Sequence, residues 1–112
     1  MKKLALAALA LTVSGPAFAG ASNFTLVNGT GSGLAELSIR RAGTQDWKPL
    51  GAAPADGARS SVKFSDPDCA FDIRATVPGS GPLTWAGINL CDVKSVTLKR
   101  DSSAGAWVDY DQ

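Results

Sequence analysis

The sequence predicts a small antiparallel β-sandwich of about seven strands, and three observations support this fold class. Apolar residues alternate with polar ones in short runs, as Leu37 and Ile39 do with Ser38 and Arg40. Glycine, proline, asparagine, aspartate and serine interrupt these runs roughly every ten residues. No segment has a sustained helical period. Together these features are typical of an all-β fold.

The predicted strands follow the apolar runs. They lie near 24–28, 34–41, 60–64, 71–77, 84–90, 95–99 and 107–110. The glycine-rich segment 28–33 supplies the positive-φ residues that a hairpin turn needs, so we expect a first hairpin there. The longest irregular stretch is 42–58, which carries Trp47 and two prolines.

The two cysteines of the chain, Cys69 and Cys91, lie equally far from Ser80, which has a glycine on each side. A hairpin that turns at Ser80 therefore places the cysteines opposite each other, at a separation that suits a disulfide. We predict that this bond closes the hairpin and stabilises the fold by roughly 3 kcal/mol. The predicted register pairs Val77 with Leu83, Ala75 with Trp85, Ile73 with Gly87, Phe71 with Asn89 and Cys69 with Cys91.

This register has a consequence for the two faces of the hairpin. One apolar face collects Phe71, Ile73, Ala75, Val77, Leu83 and Trp85. Ile88 and Leu90 fall on the opposite face. A bulge at Gly87 would redirect them, but it would also turn Cys91 away from its partner. We therefore expect both faces to be partly covered.

Residues 1–19 have the features of a signal peptide. Lys2 and Lys3 precede a short apolar run, which ends at an Ala-Phe-Ala cleavage pattern. Gly20, rather than cysteine, follows this site, so we expect no lipid anchor. The prediction is a single mature domain, 20–112, in the bacterial periplasm or outside the cell, where thiols are oxidised.

The charge balance bears on the class of partner. The whole chain has 11 basic and 10 acidic residues, and loss of Lys2 and Lys3 leaves 9 and 10. Binding to nucleic acid normally requires a clustered basic face, and binding to an anionic membrane requires a basic run. We therefore expect neither partner.

The residue types argue against an enzyme. The chain has no histidine, which is the usual general base and the commonest zinc ligand. A disulfide between the cysteines would leave no thiolate for catalysis or metal binding. The mature part has one glutamate, Glu36, and no phosphate-binding glycine motif. We predict a protein without catalytic activity.

Three aspartates form the sharpest cluster of possible ligands. Asp68 precedes Cys69, Asp92 follows Cys91, and Asp66 lies two residues upstream of Asp68. A disulfide would bring them to one end of the hairpin, where their oxygens suit Ca²⁺. The simpler interpretation is that they stabilise turns around Pro67 and after Cys91. No cofactor is predicted apart from this calcium alternative.

The three tryptophans are predicted to differ in role. Trp85 is expected to fill the core and Trp107 to close the last strand. Trp47 belongs to the long irregular segment, and loops carry binding residues more often than cores do. It is therefore the candidate contact for a ligand or partner, although it is also suited to cover an open end of the sandwich.

Three motifs resemble a family of small secreted bacterial β-proteins of unknown function. They are FTLVNGTG at 24–31, CAFDIR at 69–74 and WAGINLC at 85–91. The family pattern is F-x-L-V-N-x-T-G, then C-x-[YF]-D-[IL], then W-x-x-x-N-L-C. Some members carry the labels "argininosuccinate lyase" or "Tat pathway signal protein"; the first conflicts with a chain that has no histidine. The resemblance implies the fold and export, but no activity.

These observations favour a secreted or periplasmic, non-catalytic binding or accessory module. Its partner is an unknown protein or small ligand. The alternative is a calcium-binding or hydrolase-inhibitor-type protein that uses the end carrying Asp66, Asp68 and Asp92.

Overall fold

Eight strands in two four-stranded sheets make up the fold of residues 20–101, 103 and 105–111, which the computed structural model describes. The strands are β1 (Phe24–Asn28), β2 (Ala35–Arg41), β3 (Lys48–Pro49), β4 (Arg59–Val62), β5 (Ala70–Val77), β6 (Gly81–Asn89), β7 (Ser95–Asp101) and β8 (Gly105–Asp111). The all-β sandwich is confirmed, with the two-residue β3 as an additional strand. The predicted signal peptide lies outside these residues, which contain no helix able to cross a membrane.

The sheets are not purely antiparallel. The first has the order β4-β1-β7-β8 and the second has the order β3-β2-β5-β6. Every pair is antiparallel except β1 and β7, which run parallel in the middle of the first sheet. Parallel neighbours need a long connection. All four strands of the second sheet lie between β1 and β7 in the sequence.

The predicted first hairpin at 28–33 is wrong. β1 and β2 belong to different sheets, so this segment crosses from one sheet to the other. The buried side chain of Asn28 organises the crossing. Its Nδ2 donates to the carbonyl oxygens of Ser32 and Pro54, and its Oδ1 accepts from both the amide and the hydroxyl of Thr30. An asparagine side chain thus replaces the backbone partners that a hairpin would have supplied.

The core lies between the sheets and has aromatic contacts at its centre and at one end. Trp85 of β6 is 1% exposed, and its indole N–H donates to the carbonyl of Lys99 in β7, 2.8 Å away. This hydrogen bond links the second sheet to the first, and the predicted core position of Trp85 is correct. Phe64 packs edge-to-face against both Phe24 and Phe71, with ring centroids 6.1 and 5.1 Å away.

The hairpin of β5 and β6 turns one residue earlier than predicted. Val77 faces Gly81 and Ile73 faces Trp85, so the turn is centred on Gly79 rather than Ser80. Gly79 has a φ of 83°, which glycine adopts without steric cost. From Val77 to Ile73 the error changes each pairing by two residues, and a shift of two preserves the face on which a side chain lies. The predicted apolar face is therefore correct although its pairings are not.

A β-bulge at Gly87 corrects the expectation that both hairpin faces would be covered. The register shifts by one residue between Ile73 and Phe71, and Phe71 faces Ile88. Gly87 has a φ of 67°. The extra residue turns Ile88 and Leu90 into the core, where each is 1% exposed.

The bulge does not prevent the disulfide. Cys69 and Cys91 are bonded, with their Cα atoms 5.2 Å apart. β6 ends at Asn89, so Cys91 has left the ladder and the register of the strand does not restrict it. The Leu90 amide still donates to the Cys69 carbonyl, which keeps the two segments together. A disulfide in a small domain is consistent with an oxidising extracellular environment.

Replacement of both cysteines, Cys69→Ala with Cys91→Ala, should lower the free energy of unfolding by about 3 kcal/mol, because the unfolded chain regains the freedom of a closed loop. Urea denaturation followed by circular dichroism measures this change. Reduction of the wild-type protein with dithiothreitol should reproduce the loss. A change smaller than about 0.5 kcal/mol would contradict the stabilising role.

Candidate functional site

Asp72 is the one buried charged side chain in the described part of the chain. It lies in the middle of β5, on the face opposite to Phe71 and Ile73. One carboxylate oxygen accepts from Arg40 Nε at 2.8 Å and the other accepts from the Gly87 amide at 3.0 Å. Buried carboxylates require such partners. Asp72 was not among the residues predicted to be functional, although an aspartate between apolar residues in CAFDIR is a signal for a buried carboxylate.

Two arginines stack on the ring of Trp47 at the outer face of the second sheet. The guanidinium carbons of Arg40 and Arg74 lie 4.4 and 4.0 Å from the centre of its ring system. Arg40 also donates to the side-chain oxygen of Gln45. These cation–π and hydrogen-bond contacts attach the loop between β2 and β3 to the sheet. Trp47 is half-buried and helps to fix this loop, and its role as a ligand or partner contact stays a prediction.

Arg41 brings together two of the three aspartates of the predicted cluster. Its guanidinium lies 3.1 Å from a carboxylate oxygen of Asp66 and 3.2 Å from one of Asp68. The Asp68 amide also donates to Asp66 at 2.8 Å. Both aspartates therefore share a cation supplied by the chain itself.

The electrostatics of this group follow from the same contacts. Partial burial tends to raise the pKa of Asp66, but the Asp68 amide and Arg41 outweigh it, so the pKa lies below its ordinary value of 3.8. The hydrogen bond from Arg41 to Asp66 raises the pKa of the guanidinium. Both shifts favour the charged pair.

Asp92, the third aspartate, is an exposed residue at a bend after Cys91, with a φ of 60°. Aspartate is one of the few residues besides glycine that tolerate this conformation. Within the described ranges, no group of three or more histidine, cysteine, aspartate or glutamate residues is placed to hold a metal ion. The calcium site stays a prediction.

A cavity of about 290 Å³ opens at this end of the sandwich. Its floor is apolar and is formed by Ile39, Phe64 and Phe71. Its rim is polar and charged. The rim residues are Arg40, Arg41, Thr44, Asp46, Lys48 and Asp66. The cavity thus combines an apolar floor with charges of both signs at its rim.

No family model, curated protein or solved structure matches this chain. The resemblance based on three motifs therefore stays a prediction. Each motif does contribute a residue that organises the fold: Asn28 from the first, Asp72 from the second and Trp85 from the third. The function must be inferred from the geometry of the site.

Asp72→Ala should reduce the free energy of unfolding by about 2–3 kcal/mol, because the Gly87 amide loses its acceptor and Arg40 loses its counter-charge. Asp72→Asn keeps an acceptor for Gly87 and should cost about half as much. Chemical denaturation of both variants measures the difference. The exposed Asp109→Ala is the matched control and should change stability by less than about 0.5 kcal/mol. Equal stability of Asp72→Ala and the control would refute the role of this carboxylate.

The ion pair of Arg41 predicts a pH dependence. Since the pKa of Asp66 is lowered in the folded state, its stabilising contribution is present above 3.8 and is lost as the pH falls through the lower folded value. The melting temperature of the wild type should exceed that of Arg41→Gln near pH 6, and this difference should narrow as the pH falls through the lowered folded pKa of Asp66. Lys63→Gln, at an exposed position, serves as control. A gap that is unchanged at acid pH would show that Arg41 acts through packing alone.

Proposed function

We propose that this chain is a non-catalytic binding or accessory module of the bacterial periplasm or extracellular space, and that its ligand site is the cavity between β2 and Phe64. The cavity is the observation that supports this proposal. Small-molecule sites are typically concave, with apolar walls and a few polar groups. A volume of about 290 Å³ is at the lower limit of such sites, so the ligand would be small.

The walls of the cavity are attached to the rest of the fold by contacts of Arg41, Asp66 and Trp47. Arg41, at the end of β2, forms an ion pair with Asp66. The backbone of Asp66 is in turn hydrogen-bonded to that of Ala21. Trp47 fixes the loop above the cavity through its two arginines. A preformed site reduces the ordering cost of binding. The rim therefore has the rigidity that a binding site needs.

The chemistry of the lining defines the class of ligand. The ring of Phe64 gives an apolar surface, and the charged rim lies a short distance above it. The lysine of the rim, Lys48, makes only an exposed contact of 3.4 Å with Asp46. Such exposed pairs are weak and are readily exchanged for a ligand. A small amphipathic molecule, with an aromatic or aliphatic part beside an ionised group, fits this combination.

Export of the module is supported by the predicted signal peptide and by the disulfide. Disulfides persist in the periplasm and outside the cell, where thiols are oxidised. The calcium-binding or hydrolase-inhibitor alternative has less support, because Arg41 already pairs with both Asp66 and Asp68 and offsets one of their two negative charges. A metal ion would have to displace this guanidinium.

Titration of the ¹⁵N-labelled protein with benzoate and with benzylamine tests the proposal, since each probe joins a ring to one charge. At least one probe should shift the amide signals of residues 41–48 and 64–66, with millimolar affinity. Thr44→Phe, on the rim, should remove the response, whereas Thr84→Phe, exposed on β6, should not. Failure of both probes to shift these amides at about 10 mM would refute the cavity as a ligand site.

A further inference from the structure

Three of the four edge strands carry features that discourage pairing with another strand. β3 is two residues long and includes Pro49. β4 is four residues long, begins with Arg59 and is followed by Lys63. β6 contains Pro82 and the bulge at Gly87. Short length, proline, basic side chains and bulges are the usual means by which natural sheets protect their edges.

β8, the fourth edge, is protected by charge alone, and its charged side chains, Asp109 and Asp111, are acidic rather than basic. It is seven residues long and pairs with β7 in one unbroken register, from Asp111 opposite Ser95 to Gly105 opposite Asp101. It contains no proline, lysine or arginine. Within the described ranges, the exposed large hydrophobic residues are Trp107 and Tyr110, at 39% and 43%, and both lie on β8. Trp107, which the sequence predicted to close the last strand, does lie on that strand and is partly exposed there.

The hydrogen bonds of β7 show which residues of β8 direct their backbone N–H and C=O groups to the open edge. The carbonyl of Lys94 accepts from Thr25 in β1 and that of Leu98 accepts from Gly29, which directly follows β1. The backbone groups of the even-numbered residues of β7 therefore face β1, and those of the odd-numbered residues face β8. In the observed register the odd-numbered residues of β8 face back toward β7. The even-numbered residues, Ala106, Val108 and Tyr110, consequently direct their amides and carbonyls to the open edge.

The charge of the strand selects the partner. Asp109 and Asp111 are exposed on β8 and share a face with Trp107. Two β8 strands from separate copies would bring these like charges near each other. A strand with basic side chains would instead place opposite charges across the new pair, which stabilises β-pairing.

We propose that β8 is a docking strand for an extended segment of a partner protein that carries lysine or arginine at alternate positions. The segment adds to the edge of the first sheet by backbone hydrogen bonds to Ala106, Val108 and Tyr110. Trp107 provides an aromatic anchor, and Asp109 and Asp111 select for basic side chains. This surface is separate from the cavity and does not depend on it.

Titration with the capped peptide Thr-Lys-Val-Lys-Thr-Lys-Val, followed by NMR, tests the proposal. The amide signals of Ala106, Val108 and Tyr110 should shift together and saturate. A peptide with glutamate in place of lysine should bind at least tenfold more weakly. Asp109→Lys should weaken binding of the lysine peptide at least fivefold, whereas Asp56→Lys, an equal charge change in the turn before β4, should have a much smaller effect.

Three results would overturn the proposal. The first is the absence of shifts at these amides with millimolar lysine peptide. The second is equal binding of the glutamate peptide, which would mean that charge does not select the partner. The third is a dimer by light scattering whose amide signals on β8 change with protein concentration alone. In that case the strand pairs with a second copy of the chain.

Discussion

The arrangement of the second sheet depends on the two hydrogen bonds that the buried carboxylate of Asp72 accepts. By accepting the Gly87 amide it stabilises the bulge of β6, and by accepting from Arg40 it ties β5 to β2. The bulge turns Ile88 and Leu90 inward. A hydrophobic residue directed to the wrong face would expose its side chain to water, at a cost of roughly 1.5–3 kcal/mol each. One buried charge thus helps to direct these two side chains into the core.

The same contact connects the core to the candidate site. Arg40 extends from Asp72 to Gln45 and to the ring of Trp47, so the loop between β2 and β3 is attached to the sheet. The adjacent Arg41 reaches the other way, to Asp66. Consecutive residues at the end of a strand point to opposite faces. The side chain of Arg40 therefore makes its contacts on the outer face of the sheet, whereas that of Arg41 contacts Asp66 at the rim of the cavity.

Local pattern predicted most of the strands and the disulfide, because alternation and cysteine spacing are properties of short segments. The sheet in which each strand lies was not predictable in this way. Segment 28–33 has the composition of a hairpin turn, and only the buried partners of Asn28 make it a crossing between sheets. The rim of the cavity was likewise partly missed. Asp66 was identified, but Arg41 and Phe64 become neighbours in the cavity only through tertiary packing.

The core of the second sheet depends on the register of the β5–β6 hairpin, which backbone NOEs between the two strands measure. The structure predicts cross-strand NOEs that pair Ile73 with Trp85 and Phe71 with Ile88, with Gly87 as the extra residue between them. NOEs that pair Ala75 with Trp85 and Ile73 with Gly87, in an unbroken ladder, would contradict it.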